Sequence, residues 1–485
     1  MNNVLANKKE FGDYQTSFDL AAEVCKKIKN LGFRPKTIIE PTCGTGNFVK
    51  AARLEFKNNT KIIGIEINNQ YLNIAKSQLN VSVSKNISLI NDNFFILDWS
   101  EILKNIETPV LFLGNLPWVT NSAIGLLNGN NLPKKANFLK LNGFDAMTGE
   151  SNFDISEWML IKIIELIQSI QNKNAYIAFL IKTSVARKLI KYIYKNKINC
   201  SNVNIFNFDA KRDFNVSVNA CLFTCDFSSN STNADCNVYE NLYSFAPVNT
   251  LGFKDNALLN NVKTALAPGI IDLYSYNQKV WRSGIKHDCS KIMELTIKDN
   301  RLYNGFNEEV NIEDFYLYPL LKGSDIANNR MNLKRMVITT QKYIGEDTLK
   351  IKSIAPKTWD YLSKYKDLLD KRRSTIYKNK PPFSIFGIGE YSFSPWKIAI
   401  SSLYKKLDFK LIGSLNDKPV MLDDTVNFLA FDTPEEAQET YNLLNSDISK
   451  DFLSNHIFWD NKRPITIAIL NKLDIKKIKY YSCIS

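Results

Sequence analysis

Two periodicities take turns along the first half of the chain, and together they leave few folds open. FDLAAEVCKKIKNL, from Phe18 to Leu31, carries apolar residues at helical spacing. KTIIEPTCGTGNF is a short apolar run ending in a glycine-rich turn, and FVKAARLEF returns to helical spacing. KIIGIEIN (Lys61 to Asn68) reads as a second strand and NQYLNIAKSQL as the helix after it. ISLINDNFF, VLFLGNLPW, SEWMLIKIIELIQSI, AYIAFLI, SVARKLIKYIY, VNIFNF and NACLFTCDF continue the pattern. Such alternation predicts an α/β fold, a Rossmann-like, mostly parallel, doubly wound sheet with helices on both faces. Ligands on these sheets bind beyond the carboxyl ends of the strands. The residues that follow each strand are therefore the first candidates for a site.

The remainder reads differently. SSNSTNADCN, from Ser228 to Asn237, is a polar break, and SFAPVNTLGF follows it. The expected division is a catalytic domain over residues 1–245 and a mixed α+β domain over 246–485. A chain of 485 residues accommodates two or three domains. A long polar insertion, about residues 128–154, interrupts the first domain; a functional loop and a solvated surface loop both fit its Gly/Asn-rich composition. No fixed-period repeat is present.

Composition narrows the partners. The formal net charge of +13 favours anionic partners, nucleic acid foremost. Lys- and Asn-rich usage is equally what the base composition of a genome would produce, so charge only supports the point. The N-terminal residues hold no signal-type apolar segment, and no apolar run is long enough to span a membrane. A cytoplasmic protein without membrane partners is expected. Eight cysteines without a CxxC pair suggest reduced, buried thiols. Two histidines, His287 and His456, nearly exclude a His-rich metal centre, and no metal is expected.

Three successive strand ends carry groups that suit one small ligand. Gly44 and Gly46 sit between a strand and a helix, where a backbone without side chains lets a ligand approach. A plain strand–helix turn would use them as well. Glu66 ends the next strand, where a carboxylate can accept both hydroxyls of a ribose; a solvated strand-end charge is the alternative. NDNFF offers Asp92 or Asn93, with Phe94, to an adenine ring, and the choice between the first two stays open. The glycine spacing fits neither G-x-G-x-x-G nor a P-loop. That turns the reading from a pyrophosphate cofactor toward S-adenosylmethionine.

EPTCGTGNF resembles the S-adenosylmethionine signature of DNA amino-methyltransferases, and NLPW resembles their Asn-Pro-Pro-aromatic catalytic motif. FGDYQTS resembles the N-terminal motif of the gamma class. DAKRDFNVSVNACLF resembles the later motif with a base-stacking Phe. VWRSGIKHDCSKIMEL, YPLLKGSDI and PPFSIFGIGEYSFSPWKIAIS resemble recognition-domain stretches of restriction–modification adenine methyltransferases. Leu116 stands where the family usually has Pro; NLPY-like forms also occur in ribosomal-RNA adenine dimethyltransferases. The long second half favours DNA.

The resemblance implies roles. Glu40, Pro41, Thr42, Cys43, Gly44 and Gly46 form the cofactor turn, with Glu66, Ile67, Asp92, Asn93, Phe94 and Asn115 around it. Tyr14 and Thr16 close that pocket. The Asn115 side-chain oxygen and the Leu116 carbonyl accept hydrogen bonds from an adenine amino group, Pro117 stiffens the turn, and Trp118 and Phe214 stack on the extruded base; a core anchor for Trp118, and burial of Phe214 in a strand-like DFNVSVNACLF, are the alternatives. Lys134, Lys135, Arg372, Arg373, Lys378 and Lys380 are expected at DNA phosphates or base edges; a solvated charged face is the competing reading. The implied activity is N6-adenine methylation of a specific double-stranded DNA site, with any cognate restriction endonuclease acting separately. An RNA adenine methyltransferase, a bifunctional restriction enzyme and a non-catalytic DNA-binding protein are the alternatives. For the bifunctional form, nothing upstream of residue 11 is expected to leave room for a nuclease.

Overall fold

The middle strand of the parallel block in the first unit is four residues long, Thr-Ile-Ile-Glu, and all four are buried. A run with no exposed side suits a strand covered on both faces. This strand (β1, Thr37–Glu40) pairs in parallel with β2 (Lys61–Glu66) on one side and β4 (Val110–Asn115) on the other. β3 (Ile87–Asn91) and β5 (Ala175–Lys182) extend the parallel block. Next to β5 the sheet reverses: β7 (Ala220–Asp226) runs antiparallel to both β5 and β6 (Ser201–Phe208). With β8 (Cys236–Tyr239), β9 (Asn249–Lys254) and β10 (Ala257–Leu259) the sheet has ten strands among the described residues, in the order β10-β9-β8-β6-β7-β5-β4-β1-β2-β3. The computed structural model describes residues 14–56, 59–81, 85–119, 154–170, 174–265 and 280–482. Lys134 and Lys135 lie outside the described residues, as does all but the last residue of the expected insertion.

The crossover helices follow from capping and from apolar stripes. α1 (Phe18–Asn30) starts at Ser17, whose side chain accepts from the Leu20 N–H, and buries Leu20, Ala21, Val24, Cys25 and Ile28. α2 (Asn47–Glu55) follows β1, and α3 (Asn69–Leu79) follows β2 with Asn68 as its cap. α4 (Trp99–Lys104) and α5 (Ile155–Ser169) are capped by Asp98 and Asp154. α6 (Thr183–Lys195) leaves β5 without a loop, and α7 (Ala210–Phe214) is a five-residue turn of helix capped by Asp209. DFNVSVNACLF is therefore not one strand: Phe214 ends a helix and β7 begins at Ala220. One core packs α1 and α2 against Ile38, Leu111, Leu180, Phe206 and Leu222 of the sheet.

The first compact unit runs to Lys263, past the boundary expected near residue 245. The reason is the sheet itself. β9 is antiparallel to β8 through Cys236–Leu251 and Asn237–Thr250, and β10 folds back on β9. Residues on both sides of 245 thus belong to one hydrogen-bonded layer.

The second unit, from Thr264, holds two sheets among the described residues. The first is four-stranded, in the order β11 (Arg282–Ser283), β20 (Val426–Phe431), β17 (Trp396–Ser401), β18 (Lys410–Ile412). The other has six strands: β14 (Glu309–Val310), β13 (Arg301–Tyr303), β12 (Glu294–Lys298), β16 (Arg335–Ile338), β15 (Leu317–Leu321) and β19 (Met421–Leu422). Helices such as Pro434–Asn445 and Asp447–His456 cover apolar residues of β17 and β20. No helix among the described residues is long and apolar enough to cross a membrane.

One residue of β17 carries a pH signature. Lys397 is 1% exposed and its ammonium donates to the Ser394 carbonyl at 2.7 Å. Burial lowers its pKa to about 7. Well below pH 7 the folded and unfolded chains both hold the proton, and the penalty of burying the charge is fully present. Between pH 7 and 10.5 only the unfolded chain holds it, so stability rises with pH. Lys397→Met is expected to remove that rise. Urea unfolding across this range should show the stability gap between variant and wild type shrinking as pH increases; a gap independent of pH would refute it.

Candidate active site

The carboxyl ends of β1, β2 and β4 open on one cleft. Glu40, Thr42, Cys43 and Gly44 line it from the turn after β1, and Asn115, Leu116 and Pro117 from the end of β4. Glu66, Ile67, Asn68 and Tyr71 line it from β2 and α3, and Tyr14, Gln15 and Thr16 from the segment before α1. Asn47 and Phe48 complete the lining; the Asn47 amide donates to the Thr16 carbonyl at 2.8 Å and so ties that segment to α2.

The cleft is acidic. Burial, and then the negative charge of Glu66, push the Glu40 carboxyl well above the usual carboxylate range. Its Oε2 is buried without a hydrogen-bond partner. Burial also raises the Cys43 thiol, so it stays protonated. Glu66 braces the turns around it: Oε2 accepts from the Gly44 N–H at 2.8 Å and Oε1 from the Asn68 N–H at 2.7 Å. Gly44 sits at φ 50°, and a Cβ there would meet Gln15 Oε1 at 2.7 Å. Gly46, at φ 88°, has a different reason to be glycine. Its Cβ would press on Ala75 Cβ at 3.0 Å, so it lets α3 pack closely and does not line the cleft.

At the end of β4 an amide is held in one orientation. Asn115 Nδ2 donates to the Tyr14 carbonyl at 2.8 Å, and Thr42 Oγ1 donates to the Asn115 carbonyl at 3.1 Å. Asn115 Oδ1 is left buried with no partner. Gly114, at φ 150°, brings the strand close to Glu40; a Cβ there would meet Glu40 Cγ at 3.2 Å. The next residues are held by β5. The Trp118 indole N–H donates to the Leu180 carbonyl at 3.3 Å, and Lys182 Nζ donates to the Trp118 carbonyl at 3.2 Å. Lys182 also pairs with Asp154 at 2.6 Å, while the Ile155 N–H donates to the Val119 carbonyl at 2.9 Å.

Several expectations need correction. Trp118 is 6% exposed, a buried side chain rather than a free plate. Its ring meets Phe214 edge-to-face, with centroids 5.1 Å apart, and Tyr14 leans on it at 5.7 Å. A base between parallel rings needs about 7 Å, two stacking steps of about 3.4 Å. Trp118 and Phe214 are thus not an open sandwich. Pro41, Asp92, Asn93 and Phe94 do not line the cleft. Asp92 accepts from the Asn93 N–H, Asn93 accepts from the Phe95 N–H, and Phe94 is buried against Trp99. Short side chains at a turn bond to their own backbone, and NDNFF does so. Arg372 is no surface contact: it donates to the Leu369, His287 and Ser384 carbonyls and stacks 3.7 Å over Tyr377. Arg373, Lys378 and Lys380 are exposed. Gln15, Asn47, Phe48, Asn68 and Tyr71 line the cleft unforeseen. For Asn68 the signal was there, since it caps the helix directly after Glu66-Ile67.

No family model matches the chain. Type II methyltransferase M.NspV of Nostoc sp. is 47% identical over 478 residues, 98% of each chain. The chain belongs to the type II methyltransferases of restriction–modification systems. Type II methyltransferase M.CvrRI of a Paramecium bursaria Chlorella virus is 36% identical over 88 residues, 18% of this chain and 20% of its own. Among solved structures, the type IIL restriction–modification enzyme MmeI in complex with DNA shares the fold. Its TM-score is 0.50 at 14% identity, over 99% of this chain and 78% of that one. A methyltransferase of this family takes its methyl group from S-adenosylmethionine. The cleft of the methyltransferase suits that donor: a cation entering beside Glu40 and Glu66 would relieve their mutual repulsion, and it would give the orphan Glu40 Oε2 a partner.

Proposed function

We propose that this methyltransferase modifies the N6 amino group of an adenine swung out of a specific DNA duplex. The unpartnered, buried Asn115 Oδ1 supports this reading most directly. A buried amide oxygen without a hydrogen bond is destabilising by about 1–3 kcal/mol unless a ligand supplies the donor. The Asn115–Tyr14 bond fixes which end of the amide is left free. An exocyclic amine has two N–H donors, one for Oδ1 and one for the Leu116 carbonyl. Both acceptors favour the positive charge that develops as the amine is alkylated. The bound sulfonium supplies an electrophilic methyl group. A neutral amide is no strong base, so the product proton leaves to water.

Tyr14, Thr16, Glu40, Thr42, Cys43, Gly44, Glu66 and Ile67 are proposed to hold the donor, all on the cleft wall. Trp118 is the fixed side of the base pocket, anchored to β5 through its indole N–H. Phe214 is the yielding side: it is half-buried at the end of α7, next to Asn215 in the left-handed region at φ 58°. The target ring enters by displacing it. Base–aromatic stacking contributes about 1–3 kcal/mol, comparable to what unstacking a base costs. The second unit is proposed to carry target recognition. The test is transfer of labelled methyl to duplex DNA and to RNA, followed by modified-base sequencing of DNA from an expressing host. N6-methyladenine at one recurring motif is expected. Methyl on cytosine, or on RNA alone, would refute the assignment.

A further inference from the structure

A turn in the second unit holds apolar side chains in water on a frame of buried polar ones. Tyr343 is 60% exposed and Ile344 50%, whereas Thr340, Gln341, Glu346 and Thr348 around them are buried. The frame is fully bonded. Thr340 Oγ1 donates to the Phe383 carbonyl at 2.9 Å and Thr348 Oγ1 to the Pro382 carbonyl at 2.5 Å. The Gln341 side chain accepts from the Ile385 N–H at 3.1 Å and donates to the Tyr343 carbonyl at 2.8 Å. The Glu346 carboxylate accepts from the Lys342 and Tyr343 N–H groups and pairs with Lys350. Gly345 closes the tip at φ 88°, with nothing within 4 Å of where its Cβ would stand.

The same bonds join this tip to the basic segment. Residues 382–385, which accept two of them and donate a third, continue directly from the exposed Lys378 and Lys380. Phe383 adopts φ 61°, a region a bulky residue keeps only when its surroundings enforce it. Arg372, spent on three backbone carbonyls, roots the other end of the segment and leaves its exposed neighbour Arg373 facing water. The segment is therefore braced at both ends, with cations and an aromatic–aliphatic tip presented on the same braced piece.

That combination fits duplex DNA. Phosphates attract the cations without regard to sequence, and apolar side chains on a rigid turn wedge against base steps. We propose that Tyr343, Ile344, Arg373, Lys378 and Lys380 form one duplex-DNA contact surface, the cations on phosphates and the tip against the base stack. The proposal rests on the DNA reading given above.

The test is binding of the full chain to a duplex carrying its methylation motif, with 2-aminopurine at the target base, over a series of salt concentrations. Lys378→Ala/Lys380→Ala is expected to flatten the slope of log K against log salt by about 1.8, about 0.9 per phosphate contact. Tyr343→Ser/Ile344→Ser should leave the slope unchanged, weaken binding at least about tenfold (about 1.4 kcal/mol), and reduce the fluorescence rise that reports an unstacked base. All four residues are exposed, so each variant should melt with the wild type, which guards against misfolding as the cause. DNA binding within twofold of wild type by the tip variant, with unchanged fluorescence, overturns the proposal. So does a wild-type dimer that the tip substitutions dissolve, since the surface would then join two copies. A wild type that methylates no DNA removes the underlying reading instead, and is distinguishable from both.

Discussion

Asn115→Ala is expected to slow methyl transfer by about 10²–10³-fold, the usual effect of deleting one preorganised hydrogen-bonding group at a site of developing charge. Affinity for S-adenosylmethionine should change only a few-fold. The lining from β1, β2 and α3 does not depend on the amide, and only the Tyr14 carbonyl loses its donor. Single-turnover transfer of labelled methyl measures the first quantity, and calorimetric titration with the donor measures the second. An equal loss of both would mean that Asn115 builds the donor pocket instead of gripping the amine.

Glu66→Ala should show the converse pattern. The carboxylate accepts two backbone N–H groups, from Gly44 and Asn68, and it is proposed to accept the ribose hydroxyls as well. Hydrogen bonds to charged groups contribute about 1.5–3 kcal/mol each, and every 1.4 kcal/mol is about tenfold in affinity. Donor binding is expected to weaken by at least about 100-fold, while single-turnover transfer at saturating donor stays within about tenfold. Glu66→Gln keeps one acceptor and should fall between. Unchanged donor affinity in the alanine variant would assign Glu66 to bracing the turns alone.

The parallel block was legible because its causes are local. Uninterrupted apolar runs such as those of β4 and β5 can only be buried strands at that length, and helical spacing between them dictates the crossovers. Glu40, Glu66 and Asn115 stand at strand ends, where period and topology together put them in one cleft. What stayed hidden depends on partners distant in sequence. That β9 and β10 would join the first sheet is a matter of pairing with β8, which a polar break before them disguises. Gly46 looked like a ligand-facing glycine, yet the neighbour it accommodates is Ala75, on another helix. Arg372 looked like its exposed neighbour Arg373, and only the three carbonyls converging on it separate the two.

The hold that β5 keeps on Trp118 and Asp154 fastens two distant stretches of chain at one place. The backbone leaves and returns through one hydrogen bond, and a single ammonium ties both margins to the scaffold. The amide upstream therefore takes its support from β5 and from the start of α5, within one hydrogen-bonded clasp.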